Sequence, residues 1–117
     1  MKRLMIVDDA LIMRMKIRQI ARQAGWSIVA EATNGAEAVR LFDEHQPDLV
    51  TLDMVMPEMD GLSALKAIRH KHPDANVVMV SAVNQKEMLK ECISAGAMDF
   101  IVKPFDSEQL ESFFSRH

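Results

Sequence analysis

The 117-residue chain has no tyrosine, one tryptophan, one cysteine, four glycines and four prolines. A single cysteine, Cys92, leaves an intramolecular disulfide without a partner, so a reducing cytoplasm is the expected compartment. Long apolar runs are missing too. The first, Leu4 to Val7, is stopped by Asp8 and Asp9, far short of a signal peptide's apolar region or the roughly 20 residues of a membrane span. No membrane association is expected. Nor is there an excess of positive charge: 14 basic residues face 17 acidic ones, a formal net charge of −3. That is the wrong sign for binding nucleic acid through the overall field of the domain. No stretch has linker or low-complexity composition, and the length suits one domain over 1–117.

What is present is one alternation repeated five times. Arg3–Val7, Ser27–Ala32, 49–53, Val77–Ser81 and Asp99–Val102 are short runs rich in Val, Ile, Leu and Met, the pattern of strands buried on both faces. Helical periods lie between them. Met13, Ile17, Ile20, Ala21 and Ala24 follow the i, i+3, i+4, i+7 rule, with Gly25 placed to end the helix. Further stripes are Ala38, Leu41 and Phe42; Leu62, Leu65 and Ile68; Met88, Leu89, Cys92 and Ile93; and Leu110, Phe113 and Phe114. Strand and helix in strict alternation predict a single doubly wound (βα)5 α/β domain, with a five-stranded parallel sheet and helices on both faces.

Read to their carboxyl ends, the strands finish on Asp8 and Asp9, on Asp53, on Ser81 and on Lys103, and only the second strand lacks such a group. Ligands of open α/β sheets bind at this edge, where strand order reverses. With the first and third strands about 4.8 Å apart, three carboxylates would face one another and repel unless neutralised. A hard divalent cation such as Mg2+ resolves the repulsion, Lys103 adds a mobile positive charge, and Ser81 offers a hydroxyl donor. This is the equipment of phosphoryl transfer, with Asp53 as the natural nucleophile. Each residue alone has a plainer reading as a turn, a cap or a loop; their convergence on one edge favours chemistry. Other features read as structural. Most of the ten methionines fill core gaps, His70 and His72 are solvated, and Arg14, Arg18 and Arg22 form a solvated basic face on the first helix.

Three segments carry a family resemblance across the whole chain: Met-Ile-Val-Asp-Asp at 5–9, Asp-Met-Val-Met-Pro-Glu-Met-Asp-Gly at 53–61, and Gly-Ala-Met-Asp-Phe-Ile-Val-Lys-Pro-Phe at 96–105. The sequence resembles the receiver domain of two-component response regulators, most closely the CheY-like chemotaxis regulators. The resemblance implies strand order 2-1-3-4-5, Asp53 as phosphoryl acceptor from a histidine kinase, and Mg2+ on Asp8, Asp9, Asp53 and the Val55 carbonyl. It also implies Ser81 and Lys103 on the phosphoryl oxygens, Phe100 as the aromatic switch residue, and a cis Lys103–Pro104 bond. Such a protein is no enzyme beyond its own phosphorylation and dephosphorylation. It works in the cytoplasm on chemotaxis or motility, through a downstream target such as the flagellar motor switch and with a separate phosphatase. It is a monomer or a phosphorylation-dependent dimer, with the face made by the fourth helix, fifth strand and fifth helix as the output surface. The alternative is a receiver domain excised from a longer regulator with a DNA-binding or enzymatic output domain.

Departures and rivals are also legible. Without tyrosine the switch position carries Phe100, which has no hydroxyl to bond outside. Trp26 falls at the far end of the sheet, so its fluorescence should report phosphorylation poorly. Val55 and Val83 stand two residues beyond Asp53 and Ser81, where many relatives have a polar side chain that holds a water. A haloacid dehalogenase-like phosphatase would need a second acidic residue at position 10, where Ala10 stands; a flavodoxin would need a hydroxyl- and glycine-rich loop in place of Ala10-Leu11-Ile12.

Overall fold

The computed structural model describes residues 2–117. Strands β1 (Arg3–Val7), β2 (Ser27–Ala32), β3 (Leu49–Leu52), β4 (Val77–Ser81) and β5 (Asp99–Val102) alternate with helices α1 (Leu11–Gln23), α2 (Gly35–His45), α3 (Gly61–Lys71), α4 (Lys86–Ser94) and α5 (Ser107–Arg116). All pairings are parallel, in the order β2-β1-β3-β4-β5. The expected α/β sheet is therefore found, with β3 ending one residue early, at Leu52, so that Asp53 stands just beyond the ladder.

The strands carry apolar residues on both faces because both faces are covered. Leu4, Ile6, Val78, Val80 and Ile101 pack with Ile17 and Ile20 of α1 and with Leu110, Phe113 and Phe114 of α5. Met5, Val7, Val50, Leu52, Val77 and Met79 pack with Phe42 of α2, Leu65 and Ile68 of α3 and Cys92 of α4. Burying each of these larger side chains contributes roughly 1.5–3 kcal/mol, which is what fixes the helices to the sheet. Three helices start on a side-chain cap: Asn34 accepts from Glu37 N–H, Asp60 from Ser63 N–H and Asp106 from Gln109 N–H, each at 2.8 Å. Gly25 and Gly96 follow α1 and α4 with φ of 93° and 106°, a region that glycine enters without steric cost.

Three structural expectations need correction. Arg14 and Arg18 do not form a solvated face: both guanidinium groups lie 3.2 Å from Glu31 on β2, while Arg22 is exposed. His72 is not simply solvated, since its Nε2 lies 2.8 Å from Asp43 Oδ1 and its ring is 4.8 Å from that of Phe42. Ile93, placed on the core stripe of α4, is 51% exposed; α4 buries a narrower face, centred on Cys92. No helix among the described residues is long and apolar enough to cross a membrane.

Candidate functional site

Parallel register brings the acids together. Val7 pairs with Leu52, and Asp53 N–H donates to the Val7 carbonyl at 3.0 Å, so Asp8 and Asp53 leave the sheet side by side. Asp8 is buried and held at both carboxylate oxygens: Oδ1 accepts from Ala10 N–H at 2.9 Å, and Oδ2 from Lys103 Nζ at 2.6 Å. The same ammonium lies 3.5 Å from Asp53 Oδ2. Asp8, Asp9 and Asp53 each offer a carboxylate oxygen, all within 4.8 Å of one another, with Asp8 and Asp53 buried and Asp9 exposed. One ammonium cannot balance three carboxylates so close together. A hard divalent cation of the Mg2+ kind, which takes oxygen ligands and keeps several waters, fits this donor set.

The other expected residues stand around that cluster. Ser81 is buried at the end of β4, its Oγ 3.5 Å from the Val83 amide. The Lys103 amide donates to the Ser81 carbonyl at 2.8 Å, tying the ends of β4 and β5 together, and the Lys103–Pro104 bond is cis. Phe100 pairs with Met79, and Ser81 lies two residues beyond Met79, so Phe100 and Ser81 share the sheet face that packs on α2, α3 and α4. Phe100 is half-buried there. The Val55 side chain, two residues beyond Asp53, is 66% exposed.

Several supporting residues escaped the sequence reading. Gly61 opens α3 against the backbone of Asp53 and Met54: its N–H donates to the Met54 carbonyl at 2.8 Å, and a Cβ there would collide with the Asp53 carbonyl. Gly35 opens α2 in the same way against Met59. Position 61 appears in the sequence only as part of a motif; its close approach to Asp53 is a tertiary fact. Glu31, next to last in β2, is the polar residue that makes this strand end less empty than it looks. Cys92 packs its thiol 3.4 Å from Met54 Sδ in the core, where burial pushes the thiol's pKa up.

A parallel α/β sheet with an acid triad and a lysine at its carboxyl edge defines a class of proteins that handle phosphoryl groups with a metal ion. The sequence pattern of the response regulator receiver domain matches residues 4–114, and the chain belongs to that family. Within it the chain is CheY-like. It is 52% identical to the chemotaxis protein CheY of Bacillus subtilis (strain 168) over 108 residues, covering 92% of this chain and 90% of that protein. It is 49% identical to CheY of Thermotoga maritima over 109 residues, covering 93% and 91%. Among solved structures, a chain of the CheX–CheY–BeF3–Mg2+ complex from Borrelia burgdorferi superposes with a TM-score of 0.93 at 36% identity, covering 95% of this chain and 84% of that one.

Proposed function

We propose that this protein, as a single receiver domain over 1–117, takes a phosphoryl group from a histidine kinase onto Asp53 and binds a downstream target differently once phosphorylated. The observation that carries this reading is the cluster itself: three carboxylates within 4.8 Å of one another, with Lys103 at 2.6 Å from one and 3.5 Å from a second. Asp8, Asp9 and Asp53, with the Val55 carbonyl, would hold Mg2+, which neutralises the phosphoryl oxygens during transfer. Asp53 attacks phosphorus in line; the P–O bond forms as the P–N bond to the donor imidazole breaks, and the bonding pair stays on the imidazole nitrogen. Lys103 and Ser81 then bond the phosphoryl oxygens.

Movement of Ser81 toward the new group vacates space on the face it shares with Phe100, and Phe100 fills it. That repacks the surface of α4, β5 and α5, where Lys86, Lys90, Asp99 and Glu111 are exposed; the target or a second copy of the chain docks there. The relatives' chemotaxis names support a role in chemotaxis or motility, and the complex of CheX with CheY supports a second protein that meets the activated form; in this reading the chain works in the cytoplasm, its target is the flagellar switch and the second protein is a phosphatase. Acetyl phosphate with Mg2+ should add one base-labile phosphoryl group, read by mass spectrometry. Asp53→Asn should abolish it, and excess EDTA should suppress it. Undiminished labelling in either arm overturns the assignment.

A further inference from the structure

Arg14 stands one turn into α1, and its guanidinium faces two ways. Nη1 donates to the main-chain carbonyl of Asp8 at 2.8 Å, and Nε donates to Glu31 Oε1 at 3.2 Å. The side chain is 13% exposed. Glu31 in turn sits between two arginines, since Arg18 Nε lies 3.2 Å from its other oxygen, out of line for a hydrogen bond. Asp8 is thereby held at four points: its N–H by the Ala32 carbonyl, its carboxylate by Ala10 N–H and by Lys103, and its carbonyl by Arg14.

The carbonyl that Arg14 holds belongs to the planar Asp8–Asp9 peptide, so its direction sets the backbone from which Asp9 points. Asp9 is the exposed member of the acid triad. We propose that Arg14, braced by Glu31, is a positioning residue for the cation site: it locks the Asp8–Asp9 peptide so that both carboxylates meet one ion. This rests on the reading that Asp8, Asp9 and Asp53 bind a divalent cation. Charge and geometry pull in opposite directions here. A guanidinium beside a cation site opposes binding by Coulomb repulsion, so a role through charge alone makes its removal tighten binding, whereas positioning makes its removal weaken it.

The test is a Mg2+ titration of the intact protein, followed by the amide NMR shifts of Asp8, Asp9 and Asp53 well below the unfolding temperature. Wild type should saturate, and Asp9→Asn should bind far more weakly. Arg14→Ala and Glu31→Gln should bind about tenfold more weakly, as expected when a partner that orients a ligand is lost. Arg14→Lys keeps the charge but loses the fork that reaches both partners; it should weaken binding too, and it carries the test if the alanine variant does not fold. Affinity in folded Arg14→Ala or Arg14→Lys equal to or tighter than wild type overturns the positioning role. No Mg2+-dependent shift in wild type overturns the cation reading beneath it.

Discussion

At the scale of single residues, the strand ends were readable because the chemistry of Asp8, Asp53, Ser81 and Lys103 is carried by residue type and by position after an apolar run. Arg14 was not readable as a positioning residue. Its partners are a carboxylate 17 residues away and a main-chain carbonyl, whereas i, i+4 spacing compares a helical residue only with its own helix. Val55 and Val83 are the residues whose effect is easiest to isolate. The first, two residues beyond Asp53, is 66% exposed, and the second is half-buried against α2, α3 and α4. Neither side chain can hold a water in line with the acylphosphate, so unaided hydrolysis should be slow for a chemotaxis-type regulator. Val55→Asn combined with Val83→Glu should shorten the acylphosphate lifetime several-fold, a barrier change of about 1 kcal/mol. Decay at saturating Mg2+ measures it; an unchanged lifetime would remove these side chains from control of the signal.

At the scale of elements, helix and strand positions followed from periodicity, and the deviations have local causes. The α2–α3 contact could not be read from either helix alone, because Asp43 on one meets Lys71 and His72 at the end of the other. The hydrogen bond from His72, then that from Lys71, holds the Asp43 carboxyl below its usual pKa. Its contribution to stability is therefore present above the ordinary carboxylate range and fades as pH falls through the lowered value. The loop of residues 53–60 depends more heavily on one position. Gly61 sits with the Met54 Cα 2.7 Å from where its Cβ would lie, and the backbone on either side is pinned by the Asp60 cap and the Gly61–Met54 hydrogen bond. Gly61→Ala should cost about 1–3 kcal/mol through overpacking, visible as a lower urea midpoint, and should weaken Mg2+ binding because the displaced atoms belong to the Asp53–Met54 peptide. A midpoint equal to wild type would show that the loop yields without strain.

At the scale of the whole molecule, the parallel α/β layout was legible from alternation, but the order of strands was not. Alternation says which residues are buried, not which strand lies beside which; the order came from the family resemblance. The single tryptophan has a more definite setting than its position in the sequence conveys. Trp26 is buried just before β2, donating its Nε1–H to the Phe114 carbonyl of α5 at 3.0 Å, with Lys2 Nζ 5.5 Å from its ring. Its emission should hardly change on adding Mg2+ and beryllofluoride and should shift red when α5 detaches in urea. A Mg2+-dependent change as large as the unfolding change would show that the state of the site reaches the opposite end of the sheet. Finally, the bond between Lys103 and Asp8 joins residues 95 positions apart, the first strand to the turn after the last. The three carboxylates are made within the first half of the chain, but a ribosome must complete nearly the whole domain before the ammonium meets them. The ion pair is thus a mark of nearly finished synthesis: a chain cut short before β5 carries Asp53 but lacks the lysine that faces it.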